Sequence, residues 1–343
     1  MLVMFRVKNF MSFKDEVIVD MRATNIDLHP DHIIKTDKSS ILKTLAIYGA
    51  NGSGKSNLLY AMKCIKDIIL TGKLNYESFA LTKEVETTEL EIIIYHHKIY
   101  QYGIEFSKEK VHNEWFLIDN EVEFELTNCE LNIVNYNLDF TNYFNTHFNV
   151  IAEINAQNFV NIIEVEKTLL ANSEICEKIS RIISKMKIGI NKLSIIDDQV
   201  KTIHQSYYSD EEIAFDLAKE SQGTIRFIAC LSKVLLIIKT KSILITDELT
   251  TLLHPLVTKL IIDLFQASES QLIFTTHDTA LLNNSQFRRD EVMFVDKSTK
   301  GASTIYSLAD IDITENEAYN DNYIKGKYGA IPFFKYYKII EDE

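Results

Sequence analysis

Eight residues near the start of the chain form the pattern with the clearest chemistry. They read GANGSGKS and fit Gly-x-x-x-x-Gly-Lys-Ser, the pattern of a phosphate-binding loop. Its glycines let backbone N–H groups close around the β- and γ-phosphates, its lysine adds positive charge, and its last serine can bind Mg²⁺. We expect the loop to bind a nucleoside triphosphate through Gly49, Asn51, Gly52, Ser53, Gly54, Lys55, Ser56 and Asn57.

Two adjacent carboxylates follow an apolar run in the C-terminal part of the chain. Residues Ser242 to Thr246 read as a buried strand, and Asp247 and Glu248 come at its C-terminal tip. Beside a phosphate-binding loop, this pattern is typical of a Walker B strand. Asp247 would bind Mg²⁺, directly or through water, and Glu248 would polarise the water that attacks the γ-phosphate.

A histidine follows the next apolar run, Gln271 to Thr275. The neutral imidazole of His277 at a strand tip can hydrogen-bond the γ-phosphate or hold the attacking water. We therefore predict Lys55, Glu248 and His277 as the catalytic residues. Earlier in the chain, Ser221 and Gly223 open a long apolar helix, and a small polar residue with a glycine at a helix start makes a second anion site.

These side chains need a scaffold that supplies strand tips and helix starts. The phosphate-binding loop lies between an apolar run, LKTLAIY, and a helical pattern, NLLYAMKCIKDIIL. The Asp-Glu pair and the histidine each follow a short apolar strand. The pattern predicts an α/β fold.

In chain order, the loop, the Ser-x-Gly helix start, the Asp-Glu tip and the histidine resemble the ABC-type ATPases. The resemblance implies a P-loop ATPase head with a mixed sheet and flanking helices, and ATP with Mg²⁺ as cofactors. It also implies that Ser221 and Gly223 contact the γ-phosphate on the loop of a second copy. A homodimer, or a higher homo-oligomer, with two shared sites is expected.

Both ends of the chain narrow this resemblance. FRVKNFMSFKDEVIVDM resembles the opening strand of the SMC, RecF and OLD group, with Phe5, Phe10 and Phe13 expected in the core rather than stacked on the base. RRDEVMFVDKSTKGASTIYSLADI and YIKGKYGAIPFF resemble the tail of the OLD-like AAA ATPases of the abortive-infection family, which includes RloA and AriA. One departure is Leu249-Thr250-Thr251, where OLD-type sequences often have a proline and an acidic residue.

The middle of the chain carries none of these nucleotide motifs. It begins with β-rich runs and ends with a helical pattern, ICEKISRIISKMKIGINKL, so we predict an inserted β subdomain followed by a helical lid. The expected division is 1–77 for the first part of the head, 78–205 for the insertion and 206–343 for the second part of the head. No heptad pattern persists, so long coiled-coil arms are not expected.

Charge and composition limit the classes of function. With 36 Lys and Arg against 49 Asp and Glu, the net charge of −13 disfavours non-specific binding to the phosphate backbone of nucleic acid. Four scattered cysteines fit buried thiols in a reducing cytosol, and no apolar stretch approaches a membrane span, so we expect a cytoplasmic protein. INKLS has Ser194 where a guanine-reading motif has aspartate, so GTP is not favoured.

Two functions stay open at this level. The first is an ATPase of the OLD-like defence class, which senses infection and controls a separate effector protein, such as a Toprim-like nuclease. The second is a RecF-like clamp that holds duplex DNA, with Arg288 and Arg289 or Lys325 and Lys327 as a local phosphate-binding face. A solvated surface is the simpler interpretation of these charges, and a small-molecule kinase is disfavoured because it would lack the signature helix.

Overall fold

The structure is a computed structural model that describes residues 1–75, 77–82, 86–133, 137–151, 162–186, 188–251, 253–313 and 317–331. The strands within these ranges are β1 (Leu2–Lys8), β2 (Val17–Asp20), β3 (Ile33–Lys35), β4 (Ser40–Leu42), β5 (Thr44–Tyr48), β6 (Thr88–His96), β7 (Lys98–Phe106), β8 (Val111–Ile118), β9 (Glu121–Thr127), β10 (Phe148–Ile151), β11 (Lys192–Ile196), β12 (Gln199–Gln205), β13 (Glu212–Asp216), β14 (Ile243–Thr246), β15 (Gln271–Thr275), β16 (Val292–Lys297) and β17 (Ser303–Ser307).

The α-helices in the described ranges are α1 (Lys55–Thr71), α2 (Leu138–His147), α3 (Ile162–Ala171), α4 (Ser173–Met186), α5 (Gln222–Lys239), α6 (Pro255–Gln266) and α7 (Tyr319–Ile324). Local sequence explains several of their ends. Gly72 follows α1 in the left-handed conformation, and Pro255 opens α6, where its missing N–H has no helical partner to lose.

A six-stranded mixed sheet lies at the centre, in the order β10-β14-β15-β5-β16-β17. The first five strands are parallel and β17 is antiparallel to β16. Strands β5, β14 and β15 are buried at every residue, as expected for parallel strands that are covered on both faces. Along β5, Leu45 and Ile47 pack into one hydrophobic cluster and Ala46 and Tyr48 into another, so helices or strands cover each face.

The second large sheet is antiparallel, in the order β2-β1-β6-β7-β8-β9. It shares a hydrophobic cluster with α1 and one face of the mixed sheet. Gln271 at the start of β15 joins the two sheets, because its side chain accepts from Leu2 N at 2.6 Å and donates to Leu2 O and Leu42 O at 3.0 Å each. Phe5, Phe10 and Phe13 are fully buried here, so their predicted place in the core is confirmed.

The strands of the predicted inserted β subdomain do not form a sheet of their own. Its antiparallel strands β6 to β9 are present, but β6 pairs with β1, so they extend a sheet that the N-terminal residues begin. β10 then joins the edge of the mixed sheet beside β14. Within the part of the middle segment that the structure describes, α3, α4 and the small sheet β11-β12-β13 resemble the predicted lid, and α3 and α4 pack against α5. The boundaries at 77 and 205 stay predictions.

Candidate functional site

The phosphate-binding loop connects β5 to α1, as its sequence predicts. Gly52 and Gly54 have φ angles of 76° and 118°, a conformation that favours glycine. A Cβ on Gly54 would lie 2.6 Å from both Ser12 Oγ and Ser303 Oγ, and one on Gly49 would lie 2.4 Å from Val295 O. The loop is therefore held between the N-terminal segment and the β16-β17 hairpin, where larger residues do not fit.

Lys55 is the first residue of α1 and only 6% exposed. Its Nζ donates hydrogen bonds to Gly49 O at 2.9 Å and Ala50 O at 3.1 Å, so the ammonium lies against its own loop. Burial lowers its pKa, and the nearby carboxylates of Asp247 and Glu248 act in the opposite direction. This group is a cation that loop carbonyls hold in place and that an anionic phosphate would stabilise further.

The other predicted loop residues differ in exposure. Asn51, Gly52 and Ser56 are exposed, whereas Ser53 is buried and its Oγ has no hydrogen-bond partner among the described residues. Asn57 Nδ2 donates to Ser12 Oγ at 2.8 Å, which ties the first turn of α1 to the N-terminal segment. Ser56 is the second residue of α1 and is exposed in its first turn.

Asp247 and Glu248 follow β14 at the same edge of the sheet as the loop, because β14, β15 and β5 are adjacent parallel strands. Glu248 has a φ angle of 44°, which is uncommon outside glycine. The Thr275 hydroxyl donates to Asp247 Oδ1 and accepts from Glu248 N at 2.7 Å. Thr251 Oγ1 donates to Glu248 Oε2 at 2.7 Å, so both the backbone and the carboxylate of this residue are positioned by protein contacts.

His277 comes two residues after β15 and faces Glu248. Its Nε2 lies 3.8 Å from Glu248 Oε1, and the two side chains are 39% and 45% exposed. This distance exceeds that of a direct hydrogen bond, so both groups stay accessible to a third molecule. Burial lowers the pKa of His277, the charge of Lys55 lowers it further, and Glu248 and Asp247 act against this shift. The lowered pKa favours the neutral ring.

A cleft of about 720 Å³ joins these parts. The start of the loop and the strand-tip residues form one side, and the C-terminal region forms the other. Its lining residues are Gly49, Ala50, Asn51, Glu248, His277, Thr279, Tyr323, Ile324 and Ile331. Two of the three predicted catalytic side chains thus meet beside the loop in a space that is large enough for a polyphosphate.

Ser221 and Gly223 do not line this cleft. Ser221 is the N-cap of α5, and its Oγ accepts from Thr224 N at 3.2 Å. Both residues are exposed, and a Cβ on Gly223 would meet only Ser221 Oγ, at an ordinary 3.8 Å. No contact within the described part of this chain requires a glycine there, although glycine in a helix costs about 0.5–1 kcal/mol relative to alanine.

Comparison with known families identifies the larger group. Residues 45–283 match the AAA_21 family model, described as "AAA domain, putative AbiEii toxin, Type IV TA system". The chain belongs to this AAA domain family. The matched range contains the loop, the start of α5, the Asp-Glu pair and the strand-tip histidine. No curated protein matches the chain significantly.

Solved structures show the same fold for this AAA domain. The SMC head domain from Thermotoga maritima is 15% identical with a TM-score of 0.55, and the match covers 91% of this chain and 99% of that one. An SMC head bound to the C-terminal winged-helix domain of ScpA is 16% identical with a TM-score of 0.58, over 89% and 97%. The α/β fold predicted from the sequence, a P-loop ATPase head of the ABC type, is confirmed.

Sequence reasoning missed several residues of the site in this AAA domain. Thr275 was assigned only to a strand, although its hydroxyl contacts both acidic residues. Tyr323, Ile324 and Ile331 line the cleft from a distant part of the chain, and no local pattern signals that position. Gln101 and Gln157 are the two glutamines that the sequence offers for a γ-phosphate-sensing loop. Gln101 donates to Glu91 at 2.8 Å within the antiparallel sheet, and Gln157 lies outside the described residues.

Two interpretations of charged or polar residues were wrong. Arg288 is 1% exposed, so it belongs neither to a phosphate-binding face nor to a solvated surface. The second case is His96 and His97, which are adjacent in the sequence and would point to opposite sides if both lay in one strand. His97 instead forms the turn between β6 and β7 with a φ angle of 60°, and the two ring centroids lie 4.8 Å apart.

One further group in the described residues has closely spaced metal-ligating atoms. His29, Asp31 and His32 place such atoms within 4.8 Å of one another. The two rings stack almost in parallel, with centroids 4.5 Å apart, so their in-plane lone pairs do not converge. His32 Nδ1 bonds Glu291 and His29 Nε2 bonds Asn284 O, which indicates a packing role.

Among the described helices, none is long and apolar enough to cross a membrane.

Proposed function

We propose that this chain binds and hydrolyses ATP, forms an ATP-dependent dimer, and acts in the cytoplasm as a sensor and regulatory scaffold for a separate effector in anti-phage defence. One observation carries the enzymatic part. The loop, Asp247 with Glu248, and His277 come from three adjacent parallel strands and meet at one sheet edge beside a cleft.

The triphosphate would bind at the start of α1. Backbone N–H groups of the loop and the helix start favour an anion, and Lys55 would exchange its two carbonyl contacts for phosphate oxygens. Ser56 and Asp247 supply a hydroxyl and a carboxylate, the hard oxygen ligands that Mg²⁺ prefers. When bound, Mg²⁺ would neutralise charge on the β- and γ-phosphates.

Glu248 and His277 would act on the water that attacks the γ-phosphate. Glu248 Oε1 is the proton acceptor in this scheme, and its position is fixed by Thr251 and by the backbone bond to Thr275. The lowered pKa of His277 favours its neutral ring, which can both donate to a phosphate oxygen and accept from water. The exposure of both side chains supports slow turnover until another surface covers them.

A second copy of this chain would supply that surface. Ser221 and Gly223 are exposed at the start of α5, outside the cleft, and nothing in the described part of their own chain uses the missing Cβ of the glycine. A backbone that must approach a phosphate from outside explains both features. In a symmetric dimer each ATP would then contact Lys55 of one protomer and Ser221 of the other.

Mixing two inactive variants tests the shared sites. Lys55→Ala and Ser221→Arg should each abolish ATP hydrolysis. A mixture should recover up to about one quarter of wild-type activity, because half of the dimers are hybrids and each hybrid has one intact site. Hydrolysis is measured as phosphate release at equal total protein, with size-exclusion light scattering to follow dimer formation.

A second mixture is the matched control. Lys55 and Glu248 act in the same protomer's site, so Lys55→Ala mixed with Glu248→Gln should recover nothing. Glu248→Gln alone should hold ATP in a stable dimer. Equal recovery in both mixtures, or full activity of Ser221→Arg, would contradict the shared site, and normal turnover in Glu248→Gln would exclude this residue as the base.

The defence role rests on the family description, which names a toxin of a toxin–antitoxin system, and on the resemblance to OLD-like abortive-infection ATPases. The SMC head bound to ScpA is a precedent for a head of this fold that binds a separate protein. We expect tagged Glu248→Gln, captured from its host with ATP, to retain a stoichiometric nuclease-like partner whose amount changes on phage challenge. Lys55→Ala is the control for capture that does not depend on ATP.

The alternative is a RecF-like clamp on duplex DNA. Arg288 is buried, so it cannot contact a phosphate, and Lys327 is paired with Glu317 at 2.6 Å, which weakens the proposed phosphate-binding face. The net charge of −13 also opposes it. Protected duplex DNA in the Glu248→Gln capture, without a protein partner, would favour the clamp over the defence scaffold.

A further inference from the structure

Thr275 occupies a position between the two acidic residues of the cleft. It is the last residue of β15, adjacent to β14, and it is fully buried. Its single hydroxyl makes two contacts: it donates to Asp247 Oδ1, and it accepts from Glu248 N at 2.7 Å. Its backbone oxygen also accepts from Leu249 N at 3.2 Å. One residue therefore contacts three consecutive residues of the neighbouring strand end, and two of these contacts come from its hydroxyl.

These contacts explain the unusual backbone at Glu248. A non-glycine residue with a φ angle of 44° needs compensating interactions, because this conformation costs of order 1–3 kcal/mol. The bond from Glu248 N to the buried hydroxyl is such an interaction. It also sets the direction in which the Glu248 side chain leaves the backbone, toward His277.

We infer that Thr275 is a positioning residue that orients the predicted Mg²⁺ ligand Asp247 and the predicted base Glu248 through one hydroxyl group. This inference rests on the proposed function. The hydroxyl hydrogen goes to Asp247, so the same oxygen is left to accept from the Glu248 amide. The two acidic residues thus share one hydrogen-bonding partner, and removal of the Thr275 hydroxyl would affect both of them.

Valine and serine at this position separate shape from hydrogen bonding. Thr275→Val keeps the branched shape and removes the hydroxyl, whereas Thr275→Ser keeps the hydroxyl. We expect Thr275→Val to raise the Mg²⁺ concentration for half-maximal ATP hydrolysis about 10-fold or more, the range measured for residues that support metal ligands. It should also lower kcat, and Thr275→Ser should restore both values toward wild type.

Thr246→Val is the matched control. Thr246 is also a fully buried threonine at a strand end, directly before Asp247. Among the described residues, the hydrogen bond of its hydroxyl is to Asp247 O, at 3.4 Å. It should leave the Mg²⁺ dependence unchanged. Equal Mg²⁺ dependence in Thr275→Val, Thr246→Val and wild type would overturn the inference, and so would failure of serine to restore a loss seen with valine.

Amide hydrogen exchange of Glu248, measured without nucleotide, tests the contact independently of catalysis. Exchange should be at least about 10-fold faster in Thr275→Val than in Thr246→Val, which corresponds to loss of one hydrogen bond. Equal exchange rates would reject the positioning role even in a chain that hydrolyses nothing. Absence of hydrolysis in the wild type, by contrast, contradicts the proposed function and leaves the exchange result to decide on Thr275.

Discussion

The charged residues at the two ends of the parallel strands differ in burial and in hydrogen bonding. At the amino end, before β16, all five N–H groups of Arg288 are bonded: two to Asp290, and one each to the carbonyls of Thr24, Ile26 and Leu28. Glu291, with no exposed surface, accepts from His32, Thr44 and Arg288 N. At the carboxyl end, Glu248 and His277 are more than one third exposed and 3.8 Å apart.

This contrast separates structural charges from functional ones better than residue type does. A buried charge with every hydrogen-bonding position filled has no capacity for a ligand, and its partners must stay in place. A partly exposed charge that keeps unfilled capacity can bind a substrate and can change its protonation. Arginine and glutamate at the amino end therefore hold the N-terminal segment to the sheet, while Glu248 and His277 at the carboxyl end remain able to act.

The largest expected effect is at the amino end of the parallel strands, where every donor of Arg288 is bonded. Arg288→Met should lower the free energy of unfolding by about 3–5 kcal/mol, because Asp290 stays buried without its cation and three carbonyls lose their donors. Urea unfolding measures this loss. Nucleotide affinity, measured well below the unfolding midpoint, should not change, since Arg288 does not line the cleft.

The neighbouring arginine is a matched control for that change. Arg289 is only partly buried and donates to Ile313 O at 3.2 Å. Arg289→Met should lower the free energy of unfolding by well under half as much as Arg288→Met does. Equal losses of unfolding free energy in the two variants would mean that the five hydrogen bonds of Arg288 add no more stability than the single bond of Arg289.

A smaller effect should appear in the titration of His277. The lowered pKa keeps its ring neutral above the ordinary value of 6.5, so hydrolysis that depends on the neutral ring should be constant there and fall at lower pH. Lys55→Met should raise this pKa, since the lysine charge lowers it, and Glu248→Gln should lower it further. NMR of the ring protons measures both shifts. A His277 pKa that does not respond to either substitution would contradict the view that the charged groups at the carboxyl ends of the strands interact and can change their protonation.

The stability of the folded state should respond to His277 in the same sense. Because its pKa is lower in the folded chain than in the unfolded one, protonation favours the unfolded chain. The resulting loss of stability is absent above the unfolded pKa of 6.5 and grows as the pH falls below it.

Local patterns predicted the parts of the site that local residues build. The strand runs β14 and β15, the loop before α1 and the helix start at Ser221 were all readable, because apolar runs and glycine spacing determine them. The resemblance to ABC-type ATPases implied a mixed sheet, and the structure places β5, β14 and β15 side by side within it. Their tips meet because parallel neighbours end at the same edge.

Long-range pairing was the part that the sequence did not predict. The β-rich run that begins at Thr88 reads equally well as a separate subdomain or as an extension of β1, since both choices bury the same alternating residues. Arg288 likewise reads as a surface charge, because its five acceptors come partly from a segment more than 250 residues earlier. Cleft residues such as Tyr323 depend on the same kind of distant contact.

The position of β5 in the sheet also constrains how the chain folds. β5 pairs with β15 on one side and with β16 on the other, and both strands are made more than 200 residues later. During synthesis, β5 therefore exposes two unpaired apolar edges until most of the chain has left the ribosome, the condition under which strands aggregate. Pairing across such separations is slow, so this chain should depend on chaperones during folding more than a head with contiguous strands.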